Sequence, residues 1–269
     1  MQSLECRWIE RERQRMARQA GLAPTGPDAF IAWFEALETH GPGQHDPLFD
    51  YLAQSASRDE LRWFVEQEVA GEAGFDDLVA FTQVQLPRTP KLELARNYWD
   101  EMGRGREAGM HGPMLGRLAK AIGARVAIET TTWEALAVGN ALLAMATHRR
   151  YTLQSVGALG AVELTAPSRA EQVVKGLKRV GLNLPEYRYF ALHAVLDVKH
   201  SQAWNREVLR PLVADDPRNA RALAEGALIR LSAGARCFER YRNEFGLGSA
   251  HPHGRSSAAS ESADSMTRV

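Results

Sequence analysis

Within Phe190-Ala-Leu-His193-Ala-Val-Leu-Asp197-Val-Lys-His200, two imidazoles and a carboxylate recur at i, i+4 and i+7. At about 100° per residue, those offsets bring the three side chains within roughly 60° of one another on a helix. Their neighbours Leu192, Ala194, Val195, Leu196 and Val198 are apolar, so most of this helix is expected inside a core. Polar groups converging there are costly unless something satisfies them. A metal ion would satisfy all three together; an ordinary His–Asp hydrogen-bond network is the alternative.

Four other segments offer ligands of the same kinds. Glu68 follows Phe64-Val-Glu-Gln, Glu101 ends Asn97-Tyr-Trp-Asp-Glu, His111 follows Gly109-Met, and Glu163 ends the apolar run Gly157-Ala-Leu-Gly-Ala-Val-Glu. A buried Glu163 without a partner would rise in pKa or destabilise the fold; alternatively it ends its helix near Thr165 and Pro167. Glu72 shares a helix face with Glu68 one turn on and could replace it, and either could lie on the surface. His111 could instead pack between glycines. Metal sites in helical bundles combine carboxylates and histidines from facing helices. Four carboxylates and three imidazoles, with no thiolate, suit iron or manganese better than structural zinc. Four carboxylates also offset the charge of two divalent ions. The paired Glu-x-x-His of ferritin-like bundles is absent, the local pair here being Asp197-x-x-His200.

The elements that must position these residues read as helices separated by Gly and Pro. Pro27 to His40 is amphipathic. Ser57-Arg-Asp-Glu60 is a capping box opening a helix to about Phe81, interrupted at Gly71 and Gly74. Pro90 begins another, broken at Gly103-Arg-Gly105, and helices follow over Ala108 to Ile122 and Trp133 to His148. Tyr151 to Leu164 carries Gly157 and Gly160, spaced to admit another backbone, and Ser168-Arg-Ala-Glu171 is a second capping box. Pro185 to Leu212 holds the His/Asp/His face, with a bend expected near Ser201, and Pro217 to Phe245 is the last long helix. Arg125 to Thr132 is the best β-like run, and it is short. From Gly246 the apolar pattern stops, which predicts a disordered tail. The pattern is that of an all-α bundle.

Across 269 residues, Lys plus Arg equals Asp plus Glu at 33 each. The balance argues against a nucleic-acid partner, which usually meets a basic excess. Cys6 and Cys237 form neither a disulfide framework nor a CxxC site, which fits a reducing compartment. No stretch reaches the ~20 apolar residues of a membrane span, and Met1 to Arg18 lacks the apolar core of a signal peptide. A cytoplasmic protein is expected. No GxxxxGK[ST] or HExxH motif occurs. Trp8 and Ile9 point to partner contact, such as a homodimer, or equally to an N-terminal helix folded onto its own bundle.

The order Glu…Glu…His…Glu…His-x3-Asp-x2-His, carried by Asn97 to His111, Gly157 to Pro167 and Ala191 to His200, resembles the haem-oxygenase-like diiron oxidases and oxygenases, the iron-containing redox enzymes. The resemblance spans roughly Ser57 to Phe245. It implies a seven-helix haem-oxygenase-like bundle over residues 57–245, with an N-terminal helical extension (1–56) packed on it and the tail at 246–269. It implies that Glu68, His111, Glu163, His193, Asp197 and His200 hold two Fe(II) ions and no haem. Glu101 would be a further ligand, or one recruited on oxygen binding and so catalytic. Such enzymes use O2 to oxidise amino acids, amines or fatty acids, so O2 and a small molecule are the expected partners. Trp99, Met102, Met110, Met114, Tyr189 and Phe190 are candidates for pocket lining or ordinary core. Two other classes are compatible with the residues. One is a cofactor-independent enzyme on the same scaffold, of the thiaminase-II or pyrroloquinoline-quinone-synthase type, where the cluster performs acid–base work. The other is a non-catalytic helical interaction protein whose polar cluster holds register.

Overall fold

Ser57 and Glu60 cap each other: Ser57 N donates to Glu60 Oε2 at 2.7 Å and Glu60 N to Ser57 Oγ at 3.2 Å. The helix therefore starts where the capping box implies. In the computed structural model, which describes residues 2–72 and 74–248 (residues 2, 3 and 72 by backbone alone), it is the fifth of thirteen α-helical segments. They are α1 Gln2–Ala20, α2 Pro27–Glu35, α3 Leu37–His40, α4 Pro47–Gln54, α5 Arg58–Glu72, α6 Phe75–Thr82 and α7 Arg88–Glu101, then α8 His111–Ile122, α9 Trp133–Thr147, α10 Thr152–Arg179, α11 Leu184–Trp204, α12 Arg210–Asp215 and α13 Asn219–Glu244. No strand occurs among the described residues. None of their helices is long and apolar enough to cross a membrane. The expected tail beyond residue 248 lies outside the described residues.

The all-α expectation holds, with finer segmentation than seven helices. The helix expected from Ser57 to Phe81 is two, because Gly74 takes φ +95° and turns the chain between α5 and α6. Arg125 to Thr132 forms no strand. The Thr130 and Thr131 hydroxyls donate to the Ala127 carbonyl, closing a local turn that competes with extended pairing. Conversely, the two helices expected on either side of Pro167 are one 28-residue helix, α10. Pro167 removes one backbone donor, yet α10 is packed along its length against α4, α11 and α13. That packing overrides the local stop signal, and Ser168-Arg-Ala-Glu171 is helix interior rather than a cap. Helix α11 runs through Ser201, where a bend was expected, and passes into a π-helical turn at Asn205–Leu209.

Gly157 and Gly226 let α10 and α13 cross closely. A Cβ on Gly157 would overlap the Leu223 carbonyl, and one on Gly226 the Gln154 carbonyl. Gly160 departs from expectation, since it faces the Trp204 indole rather than a backbone. The N-terminal helix folds onto its own bundle: α1 packs on α13, Ile9 is fully buried, and Arg13 Nε donates to the buried Glu225 at 2.7 Å. Helix α11 is less buried than its apolar residues imply. Val195 is 65% exposed and Val198 is exposed too, so only one face of the helix meets the core.

Candidate metal centre

Four helices converge on one buried cluster. Glu101 is the last residue of α7 and His111 the first of α8. Glu163 lies in the middle of α10, 2% exposed; the continuation of that helix past Pro167 removes the reading in which it merely ends a helix. His193, Asp197 and His200 come from α11. Two three-residue groups have ligand atoms within 4.8 Å of one another: Glu101, His111 and His193, and Glu101, Glu163 and His200. Glu101 belongs to both. Its Oε2 lies 2.5 Å from His111 Nδ1, and Glu163 Oε2 lies 3.4 Å from His200 Nδ1. Both imidazole nitrogens are buried, and neither contact has the geometry of a hydrogen bond.

Neighbouring groups fix the ring orientations. His193 Nδ1 donates to the Tyr189 carbonyl at 2.7 Å, which leaves Nε2 as the free lone pair. Its ring lies edge-on to His111, with centroids 4.7 Å apart. On the other side of the cluster, His200 Nε2 donates to Asp100 Oδ2 at 3.2 Å, turning Nδ1 toward Glu163. Asn97 Nδ2 donates to Glu163 Oε1 at 2.6 Å, turning Oε2 toward His200. Burial pushes the His193 pKa down, outweighing the nearby Glu101 charge, which favours the neutral ring. Burial acts the same way on His200, but the Glu163, Asp100 and Glu101 carboxylates outweigh it and raise its pKa to about 9. Burial also opposes the Asp100 charge, yet hydrogen bonds from Arg104 and His200 hold its pKa below the ordinary carboxylate value.

Glu68 and Asp197 join neither group as the side chains stand. They line the same cavity as Glu101, Glu163 and His193. The side chain of Glu72 lies outside the described residues. The cavity holds about 90 Å³, against the roughly 10–15 Å³ one water needs, which is room for a small organic molecule. Its walls are largely apolar, including Phe49, Phe64, Phe75, Val138 and Phe238, with Arg169 and Arg230 also lining it. Of the residues left open between pocket lining and core, Tyr189 and Phe190 line it. Trp99 is 54% exposed, and Met102, Met110 and Met114 are not part of the wall.

Sequence reasoning passed over Asn97 and Asp100. Both sit on α7 beside Glu101, at i−4 and i−1, and that polar strip was the available signal. It also passed over Arg230, a lone cation in the apolar run Ala227-Leu-Ile-Arg-Leu of α13.

The donor set fits metal binding. Several carboxylates buried together need compensating positive charge. Two buried imidazole nitrogens without hydrogen-bond partners face carboxylate oxygens, and one carboxylate stands between two ligand groups. Oxygen and imidazole donors without thiolate match iron or manganese.

Comparison with known proteins agrees with this fold. The sequence model of a family described as iron-containing redox enzyme matches residues 62–235. No curated protein matches the chain. Among solved structures, the chain is similar to a domain of unknown function with a haem-oxygenase-like fold from Shewanella denitrificans, at 13% identity and a TM-score of 0.56, covering 81% of this chain and 90% of that one. It is also similar to a CADD-like protein of unknown function from Nostoc punctiforme, at 16% identity and a TM-score of 0.56, covering 91% and 99%. A second structure of that protein gives 17% and 0.53. At these identities the likeness is one of fold: a haem-oxygenase-like helical bundle.

Proposed function

The chain belongs to the iron-containing redox enzyme family, and from that premise we propose that it is an O2-dependent, non-haem diiron oxidoreductase acting on a small organic substrate. The observation that carries this reading is the position of Glu101 in both ligand groups. A carboxylate has two oxygens, so one residue can serve two ions at once. In this reading Glu101, His111 and His193 hold one ion and Glu101, Glu163 and His200 the other. Glu68 and Asp197, on the wall of the same cavity, would be further ligands.

When bound, two ferrous ions would supply the electrons and open coordination positions that O2 activation requires. The protein's own part is to hold imidazole nitrogens and carboxylate oxygens in place, and to keep the reacting space small and largely apolar. His193 is suited to this because burial favours its neutral form. His200 must give up its proton to bind an ion, and the surrounding carboxylates that raise its pKa are the same groups that would attract the cation. The small, largely apolar cavity beside these residues suits a small organic substrate.

Anaerobic loading with ferrous iron, followed by admission of O2 under a spectrometer, tests the proposal. Two iron equivalents per chain and a transient absorption band are expected. A His193→Ala, His200→Ala double variant should lose the iron. Unchanged iron in that variant overturns the proposal. Absence of stoichiometric iron in the parent protein does so too, and is the result expected of a cofactor-independent enzyme on this scaffold.

A further inference from the structure

We infer that Asp100 is a positioning residue of the metal centre, which fixes the His200 ring so that Nδ1 rather than Nε2 faces Glu163. The inference rests on the diiron reading. His200 Nε2 donates to Asp100 Oδ2 at 3.2 Å, while the buried Nδ1 has no hydrogen-bond partner and lies 3.4 Å from Glu163 Oε2. A ring held by a carboxylate at one nitrogen has its tautomer set and its other nitrogen made more basic.

The two α11 histidines are held in different ways. His193 is held from within its own helix, by the carbonyl one turn back at Tyr189. His200 is held across a helix interface, from α7. Asp100 precedes the shared ligand Glu101 in sequence, so the same turn of α7 supplies a ligand and orients another one 100 residues away. The second Asp100 oxygen accepts from Arg104 Nε at 2.6 Å, an i,i+4 contact on the outside of the same helix end. Arg104 is mostly exposed, so that pair contributes little stability by itself. Asp100 thus faces the surface with one oxygen and the site with the other.

Anaerobic titration with cobalt(II), read by d–d absorption and by the binding isotherm, tests the assignment. In Asp100→Ala one of the two metal equivalents should bind about 10–100-fold more weakly, the usual effect of losing such a partner, with an altered cobalt spectrum. Asp100→Asn retains an oxygen able to accept from Nε2–H. It should keep the parental spectrum with an intermediate affinity. Arg104→Ala should match the parent in both readouts. Parental affinity and spectrum in Asp100→Ala overturn the inference, as does an equal loss over both equivalents, which would mark a general structural role. If the alanine variant loses its helical circular dichroism, the asparagine variant decides: an isotherm identical to the parent's overturns the inference. A parent protein that takes up no pair of ions removes the diiron reading and this inference together. A parent that takes up two, with the Asp100 variants unchanged, removes this inference alone.

Discussion

Glu101 Oε2 and His111 Nδ1 lie 2.5 Å apart because the loop between them is pinched shut. Met102 and Met110 form an isolated antiparallel bridge across it. Gly103, at φ +62°, packs directly on the backbone of Gly109 and Met110, where a Cβ would overlap. The end of α7 and the start of α8 are thereby joined, and two side chains from different helices meet at one point. Glycine is required twice over at position 103, for its left-handed conformation and for the close approach.

Gly103→Val should therefore displace His111. The variant is expected to keep its helical circular dichroism and to lose one of two bound iron equivalents, the one served by His111 and His193. Retention of both equivalents in an anaerobic iron titration would show that the pinch does not place His111.

Because Glu101 belongs to both ligand groups, Glu101→Ala should abolish stoichiometric uptake of both ions. Glu163→Ala should spare one. Metal analysis after gel filtration distinguishes the two. Equal stoichiometry in both variants would count against Glu101 as the shared ligand.

The His200 pKa is raised to about 9 from an ordinary 6.5. Its protonated form is therefore favoured by folding. In metal-free protein the resulting stability is fully present below about pH 6.5 and is lost as the pH rises through about 9. Urea midpoints of parent and His200→Gln should differ most at pH 6 and converge toward pH 10. Metal uptake needs the neutral ring, so affinity should climb over the same window. A pH-independent difference between the two proteins would rule this linkage out.

The crossing of α10 over α13 depends on Gly157 and Gly226. The obstacle to a side chain there is a backbone carbonyl, which cannot swing aside. Gly157→Ala should cost about 1–3 kcal/mol, the range for overpacked cores, measured by urea denaturation. Gly112→Ala, where nothing lies within 4 Å of the added Cβ, should cost clearly less at its helix position.

Much of the helical plan is legible in the sequence, because helix propensity, capping and amphipathic period are local. Ser57 and Glu60 announce a helix start that forms, and the His193/Asp197/His200 spacing places three polar groups on one face of α11. Local signals misled where packing was stronger. Pro167 and the Ser168–Glu171 pattern signal a stop, and α10 runs through both because its neighbours bury it on several sides. Arg125 to Thr132 has strand-like residues, yet turn-closing threonine hydroxyls take the backbone instead.

The sequence by itself determined which side chains could bind a metal and which shared a helix face, since both follow from residue type and a 3.6-residue period. Only the tertiary structure decided which of them meet. It placed Glu101 in two candidate ligand groups at once, left Glu68 and Asp197 on the cavity wall, and set Asn97 and Asp100 in hydrogen bonds with Glu163 and His200 from other helices. Those outcomes depend on where helices cross and how a loop closes, and no periodicity along one helix axis encodes the distance to another.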